Sequence, residues 1–220
     1  MVTLPDLFTI INALLGLTAI LMVLNGEPLG APILILMAVI VDGMDGFLAR
    51  NVEDGTLGSD LDSFADLISF GVAPVVLIYS LSPWSIMIHL FTAFLSAYIV
   101  CGILRLARYN VSERTERFVG VPITAGGLCL ATYIMAQPLL GISFLSVIVV
   151  LGLLSVLMIS NISYPRVSSP RASAIIASLI LTIITTYYLD LYIYRHISLL
   201  LFVMFALYLF SPWIMGGRSL

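Results

Sequence analysis

The sequence predicts an all-α fold, a polytopic bundle of membrane helices, on three observations. Of the 220 residues, 61% are hydrophobic and only 10% are charged, with a mean hydropathy of +1.15. A water-soluble domain carries about 25% charged residues, so this chain lacks the charge to keep a water-facing surface in solution. Its apolar residues gather into runs near the length of about 20 residues that one helical crossing takes. Long runs such as Val147 to Leu154 do not alternate polar with apolar, as the strands of a membrane barrel must. Inside hydrocarbon every backbone polar group has to be paired within the chain, and helices then remain.

Eight apolar stretches follow one another, near 7–24, 29–49, 62–81, 86–107, 122–138, 143–161, 172–189 and 196–214. Pro5 and Asp6 precede the first and suit a helix start. No basic segment and no small-residue cleavage site accompany this run, so it reads as a retained span and not as a signal peptide. Asn25-Gly26-Glu27-Pro28 separates the first two stretches, Ser82-Pro83-Trp84 the third and fourth, and Ser168-Ser169-Pro170 precedes the seventh. There is no internal repeat, low-complexity segment or soluble domain, so residues 1–220 are expected to form a single transmembrane domain. Cys101 and Cys129 lie in apolar stretches and read as buried free thiols, without metal-ligand or disulfide spacing. A net charge of −3, with no run of basic residues, argues against a nucleic-acid polymer as partner.

All nine basic residues are arginine. With eight spans, Arg50, Arg105, Arg108, Arg114, Arg117, Arg166, Arg171 and Arg218 fall on one side, and only Arg195 on the other. The cytoplasmic side holds the excess of positive charge, so both termini are expected there.

Seven of the twelve acidic residues lie between positions 42 and 66: Asp42, Asp45, Glu53, Asp54, Asp60, Asp62 and Asp66. A solvated loop accounts for Glu53, Asp54 and Asp60. It does not account for Asp42, which follows Met37-Ala38-Val39-Ile40-Val41, or for Asp66, which precedes Leu67-Ile68. A carboxylate among membrane helices is costly and marks a polar, functional cavity. Asp42, Asp45, Gly46 and Ala49 stand at i, i+3, i+4 and i+7, so they share one helical face. Gly58, Asp62 and Asp66 repeat every four residues and share another. A short turn over Asn51–Leu57 lets the two faces oppose each other, and carboxylates then converge at the cytoplasmic end of a helix pair. Divalent cations would resolve their repulsion, and oxygen ligands suit hard ions such as Mg²⁺, Mn²⁺ or Ca²⁺. Gly43, Gly46, Ala49 and Gly58 leave the helix surface bare, which permits close helix packing or close approach of a flat ligand. Arg50 could pair with a phosphate or a carboxylate, or serve only as a cytoplasmic anchor. Acids, metal and arginine in a membrane fit phosphoryl or phosphatidyl transfer, in which metal clamps a diphosphate and a carboxylate takes the proton of an attacking hydroxyl.

The run Asp42-Gly43-Met44-Asp45-Gly46-Phe47-Leu48-Ala49-Arg50, followed by Gly58, Asp62 and Asp66, resembles the signature of the CDP-alcohol phosphotransferase (phosphatidyltransferase) family. That signature is D-x-x-D-G-x-x-A-R, a spacer of seven or eight, then G-x-x-x-D-x-x-x-D. The resemblance implies that Asp42, Asp45 and Asp62 are metal ligands, that Asp66 joins the metal site and acts as general base, and that the site takes two ions. It implies that Asp42, Gly46, Ala49, Arg50 and Gly58 line the CDP site. It also implies a six-helix core, usually in a homodimer, with the site open to the cytoplasm of the cell membrane; about two further spans would follow at the C-terminus.

Three more segments are similar to the phosphatidylserine synthase branch, including its archaeal type: Asp62–Pro74, Leu104-Arg105-Leu106-Ala107-Arg108-Tyr109-Asn110, and Phe118-Val119-Gly120-Val121-Pro122-Ile123-Thr124. Leu4–Asn12 is similar to the family's opening helix, with Asp6 where Asn is common. The likeness spans roughly residues 4–137, and residues 138–220 are apolar helices that carry little signal. The branch implies transfer of the phosphatidyl group from CDP-diacylglycerol or CDP-archaeol to L-serine, with CMP released among the membrane lipids. Serine is a zwitterion, and its carboxylate wants a cation or backbone donors. Arg105, Arg108 and Asn110 are candidates for contacts to the acceptor or to a lipid phosphate; anchoring at the cytoplasmic surface is the other reading of the two arginines. Glycerol phosphate or inositol phosphate as acceptor, or a cation pathway in a transporter, stay open. His89 and His196 lie near outer span ends, and Tyr187, Tyr188, Tyr192, Tyr194 and Trp213 read as interfacial aromatics.

Overall fold

Eight long helices occupy the eight apolar stretches in a computed structural model that describes residues 4–48, 58–82, 87–111, 118–141, 143–164 and 170–214. They are α1 (Leu4–Leu24), α2 (Ala31–Leu48), α3 (Gly58–Ser80), α4 (Ile88–Val111), α5 (Ile123–Met135), α6 (Phe144–Ile159), α7 (Pro170–Tyr188) and α8 (Ile193–Ile214). Among the described residues, four segments are long and apolar enough to cross a membrane: Pro5–Leu24, Gly58–Ser80, Ile88–Val111 and Ile193–Pro212. The other four helices are apolar but shorter.

The helix ends follow from local chemistry. At the end of α1, Gly26 takes a left-handed conformation (φ 83°). Its N–H donates to the Val23 carbonyl (3.1 Å) and that of Glu27 to Met22 (2.9 Å), closing the orphan carbonyls of the last turn. The same device ends α7, with Asp190 (φ 52°) in the left-handed position. The fifth apolar stretch, expected over 122–138, breaks sooner. α5 has 13 residues, about 20 Å of helix, because Pro138 has no N–H to give Ile134 and cannot continue the ladder. The chain bends at Ala136 and makes one further turn, Gln137–Leu140, with Pro138 in its opening positions.

α5 is the central strut. Every residue from Gly126 to Met135 is buried, and the helix packs against α2, α3 and α8. α1 lies along α2 and α3, α4 along α6, and α7 along α8. Outside this core, Leu14, Leu17 and Leu21 of α1 and Leu145, Val149 and Val156 of α6 point outward. A water-soluble protein would bury such stripes; hydrocarbon accepts them.

Only two short strands occur among the described residues. β1 (Phe118–Val119) pairs antiparallel with β2 (Ser163–Tyr164), Phe118 opposite Tyr164. Gly120 follows with φ 75°, and a side chain there would strike the Met158 carbonyl oxygen. Val121 then donates to the Leu157 carbonyl (3.1 Å), satisfying the open end of α6. This strap fixes where α5 begins, and with it the position of Thr124.

Candidate active site

α2 and α3 bring their acids together from opposite sides. One carboxylate oxygen from each of Asp42, Asp62 and Asp66 lies within 4.8 Å of the others. Asp66 is buried, while Asp42 and Asp62 are half-buried at the mouth of the site. Three carboxylates so close repel one another and give up much of their hydration. They also form an oxygen donor set of the kind that hard divalent cations take, so the residues present fit such an ion.

The chain surrounds this cluster with donors. Asn12 Nδ2 of α1 donates to Asp66 Oδ1 (3.3 Å), and Thr124 Oγ1 in the first turn of α5 to Asp66 Oδ2 (3.5 Å). Arg105 is buried near the end of α4, within electrostatic reach of all three acids, and its guanidinium lies over the Tyr109 ring at 5.3 Å. A buried guanidinium beside three carboxylates partly offsets their charge without filling the space between them.

The backbone of α3 changes pitch immediately after Asp66. Leu67–Val72 forms a π-helical stretch, a feature that widens one turn and often marks functional sites. Pro74, just beyond it, has no N–H to give the Phe70 carbonyl in α-helical register. That carbonyl accepts instead from Tyr98 Oη of α4 (2.9 Å). α3 and α4 are thereby tied together one turn beyond the acids.

Among the expected site residues, Asp42, Asp62, Asp66, Gly58 and Arg105 come to one end of the bundle. A side chain at Gly58 would meet Asp6 Oδ1 at 3.6 Å, and Asp6 is itself buried. Asp45 and Gly46 continue the helix of α2, but the Asp45 side chain lies outside the described residues, as do Ala49, Arg50 and the Asn51–Leu57 turn. Among the described residues, nothing lies within 4 Å of where a Gly43 side chain would be. Arg108 and Asn110 turn to other elements. Arg108 Nη1 donates to the Ile159 carbonyl (3.2 Å) and to Asn161 Oδ1 (3.3 Å) at the end of α6, and Asn110 Nδ2 donates to Ser63 Oγ (2.9 Å) on α3.

The sequence reading passed over Asp6, Thr9 and Asn12 as functional groups. All three are buried. They recur every three residues on one side of an otherwise apolar α1, and a polar stripe in a membrane helix was the signal that could have found them. Thr124 carried no such signal, because one threonine at a helix start is ordinary.

Fold and site together define a multi-pass membrane protein with an acidic, cation-suited centre at one end of its helix bundle. The chain belongs to the CDP-alcohol phosphatidyltransferase family, whose pattern matches residues 2–159. It is 38% identical over 176 residues to an archaetidylserine synthase of Methanothermobacter thermautotrophicus, covering 78% of this chain and 73% of the relative. It is 34% identical over 221 residues to a CDP-diacylglycerol–serine O-phosphatidyltransferase of Methanocaldococcus jannaschii, covering 98% and 96%. The Bacillus subtilis enzyme of the same description is 34% identical over 168 residues, covering 74% and 89%.

Proposed function

We propose that this enzyme transfers the phosphatidyl group of a CDP-activated lipid, CDP-diacylglycerol or CDP-archaeol, to the hydroxyl of L-serine. The observation that carries the reading is the meeting of Asp42, Asp62 and Asp66 within 4.8 Å inside helices of this family. The acceptor is argued from the relatives, whose descriptions name serine products or serine itself.

Asp42, Asp45, Asp62 and Asp66 would hold a divalent cation, Mg²⁺ or Mn²⁺ and most simply a pair, which when bound neutralises the diphosphate and the departing CMP. Asp42, Gly46, Ala49, Arg50 and Gly58 line the nucleotide side, where bare helix surface admits the cytidine. Asp66, steadied by Asn12 and Thr124, accepts the proton of the serine hydroxyl. The new bond joins the serine oxygen to the lipid-side phosphorus. The bond from that phosphorus to the CMP oxygen breaks, and its electron pair leaves with CMP. Arg105 offers its charge to the serine carboxylate or to the lipid phosphate. Arg108 and Asn110 frame the same margin while tying α4 to α6 and α3. The site opens to the cytoplasmic face of the cell membrane, and the enzyme works as a homodimer.

The test is CMP release by purified protein in detergent with CDP-lipid, Mn²⁺ and one alcohol at a time. Release should require both the metal and L-serine. Preference for glycerol phosphate or inositol phosphate would replace the acceptor, and absence of CMP with every alcohol would sink the transferase reading.

A further inference from the structure

Asn12 is completely buried in α1, yet its side chain is only half satisfied. Its Nδ2 donates to Asp66 Oδ1 (3.3 Å), while its own Oδ1 has no partner among the described residues. A buried acceptor left without a donor is costly and rare. An apolar side chain would fill the same place without that cost, so space-filling does not explain an amide here. Turning the amide over would leave the orphan oxygen facing the Asp66 carboxylate, where like partial charges repel. The amide is therefore held with its donor toward Asp66.

The backbone around this contact is built to keep it in register. The Asn12 carbonyl accepts from Ser69 Oγ (2.7 Å), three residues beyond Asp66 in the π-helical stretch. One turn further along α1, Gly16 lies so close to Ser69 that any side chain would overlap it. α1 thus grips α3 on the stretch that carries Asp66, by a hydrogen bond from Ser69 and a close backbone approach at Gly16. Asn12 projects its donor from that grip.

We propose that Asn12 is a positioning residue for Asp66. It fixes the rotation of the carboxylate, so that one oxygen is held by α1 and the other is presented toward Thr124 and the centre of the acid cluster. The proposal rests on the reading of Asp66 as the base that accepts the serine proton. A loosely held carboxylate would still bind substrate but would spend little time aligned with the hydroxyl, and alignment acts on turnover more than on binding.

Three variants in full-length protein test this: Asn12→Leu, which keeps the branching but has no donor, Asn12→Ala, which also leaves a cavity, and Asp66→Asn. Initial rates of CMP release against L-serine and CDP-lipid, with Mn²⁺, are read beside thermal unfolding midpoints. Asn12→Leu and Asn12→Ala should both lose at least about tenfold in kcat, with KM for each substrate within about threefold, although Ala unfolds at a lower temperature than Leu. A kcat within about twofold of the parent in folded Asn12→Leu overturns the proposal, as does a kcat that tracks the unfolding midpoint and leaves Leu nearly normal. Undiminished turnover by Asp66→Asn would remove the base itself, a failure of the underlying reading that is distinct from a failure at Asn12.

Discussion

Asp66 lies eight residues into α3, about 12 Å along the helix from Gly58, and meets Asp42 and Asp62 there. Without cations the three charges work against the fold, so neutralising one should relieve it. In metal-free protein, Asp62→Asn is expected to unfold at a temperature no lower than the parent. Adding Mn²⁺ at 100 times its dissociation constant should stabilise the parent by about 2.7 kcal/mol, and the variant by much less. Thermal unfolding with and without chelator checks both arms, and an equal metal response in the variant would contradict the shared site. Asp66→Asn keeps the shape of the side chain but cannot accept the serine proton, so transfer should fall at least about a thousandfold in folded protein. CMP release against a size-exclusion profile measures this. At this scale the motif acids were legible, because a carboxylate in an apolar run has few innocent explanations. Asn12 and Thr124 were not, since their meaning depends on which helix faces them.

The elements carry the geometry. Within the π-helical stretch the Phe70 carbonyl accepts from Tyr98 Oη of α4 (2.9 Å). Tyr98→Phe removes that buried hydrogen bond, and should cost about 0.5–1.5 kcal/mol. A fall in the unfolding midpoint of the purified variant tests it. The β1–β2 strap makes a second prediction. Gly120 has φ 75°, and its Cα hydrogen faces the Met158 carbonyl. Gly120→Ala should therefore destabilise by more than about 1 kcal/mol, and should lower turnover by shifting Thr124. Gly43→Ala, which meets no described atom within 4 Å, is the matched control for stability. Helix positions were readable from hydropathy alone, and breaks such as Gly26 from turn chemistry. The early end of α5 was readable only in part, since Pro138 marks a break but not whether the chain bends or stops.

Across the whole molecule, the arginines and aromatics predict an orientation. On the eight-span reading of the sequence, eight of the nine arginines are expected at one side. Arg195, at the other, stacks on Tyr192 (4.8 Å) and Tyr194 (5.6 Å) between α7 and α8, as suits a membrane–water boundary. In protein lacking Cys101 and Cys129, a cysteine at exposed Tyr192 should react with an impermeant maleimide on intact cells. One at exposed Val111, at the end of α4, should react only after permeabilisation. The reverse pattern would turn the site to the outside.

The amino-acid sequence by itself determined the class of fold, the succession of helices among the described residues, and the placing of Asp42, Asp62 and Asp66 on helix faces that can meet. These depend on period, composition and spacing within single helices, and such properties need no partner to be expressed. Only the tertiary structure decided that Arg105 joins the acids while Arg108 and Asn110 turn to α6 and α3. It alone decided that α1 and α5 supply the donors on Asp66. Those outcomes depend on the rotation of one helix against another. That rotation is set by close approaches such as Gly16 on Ser69, between residues far apart along the chain.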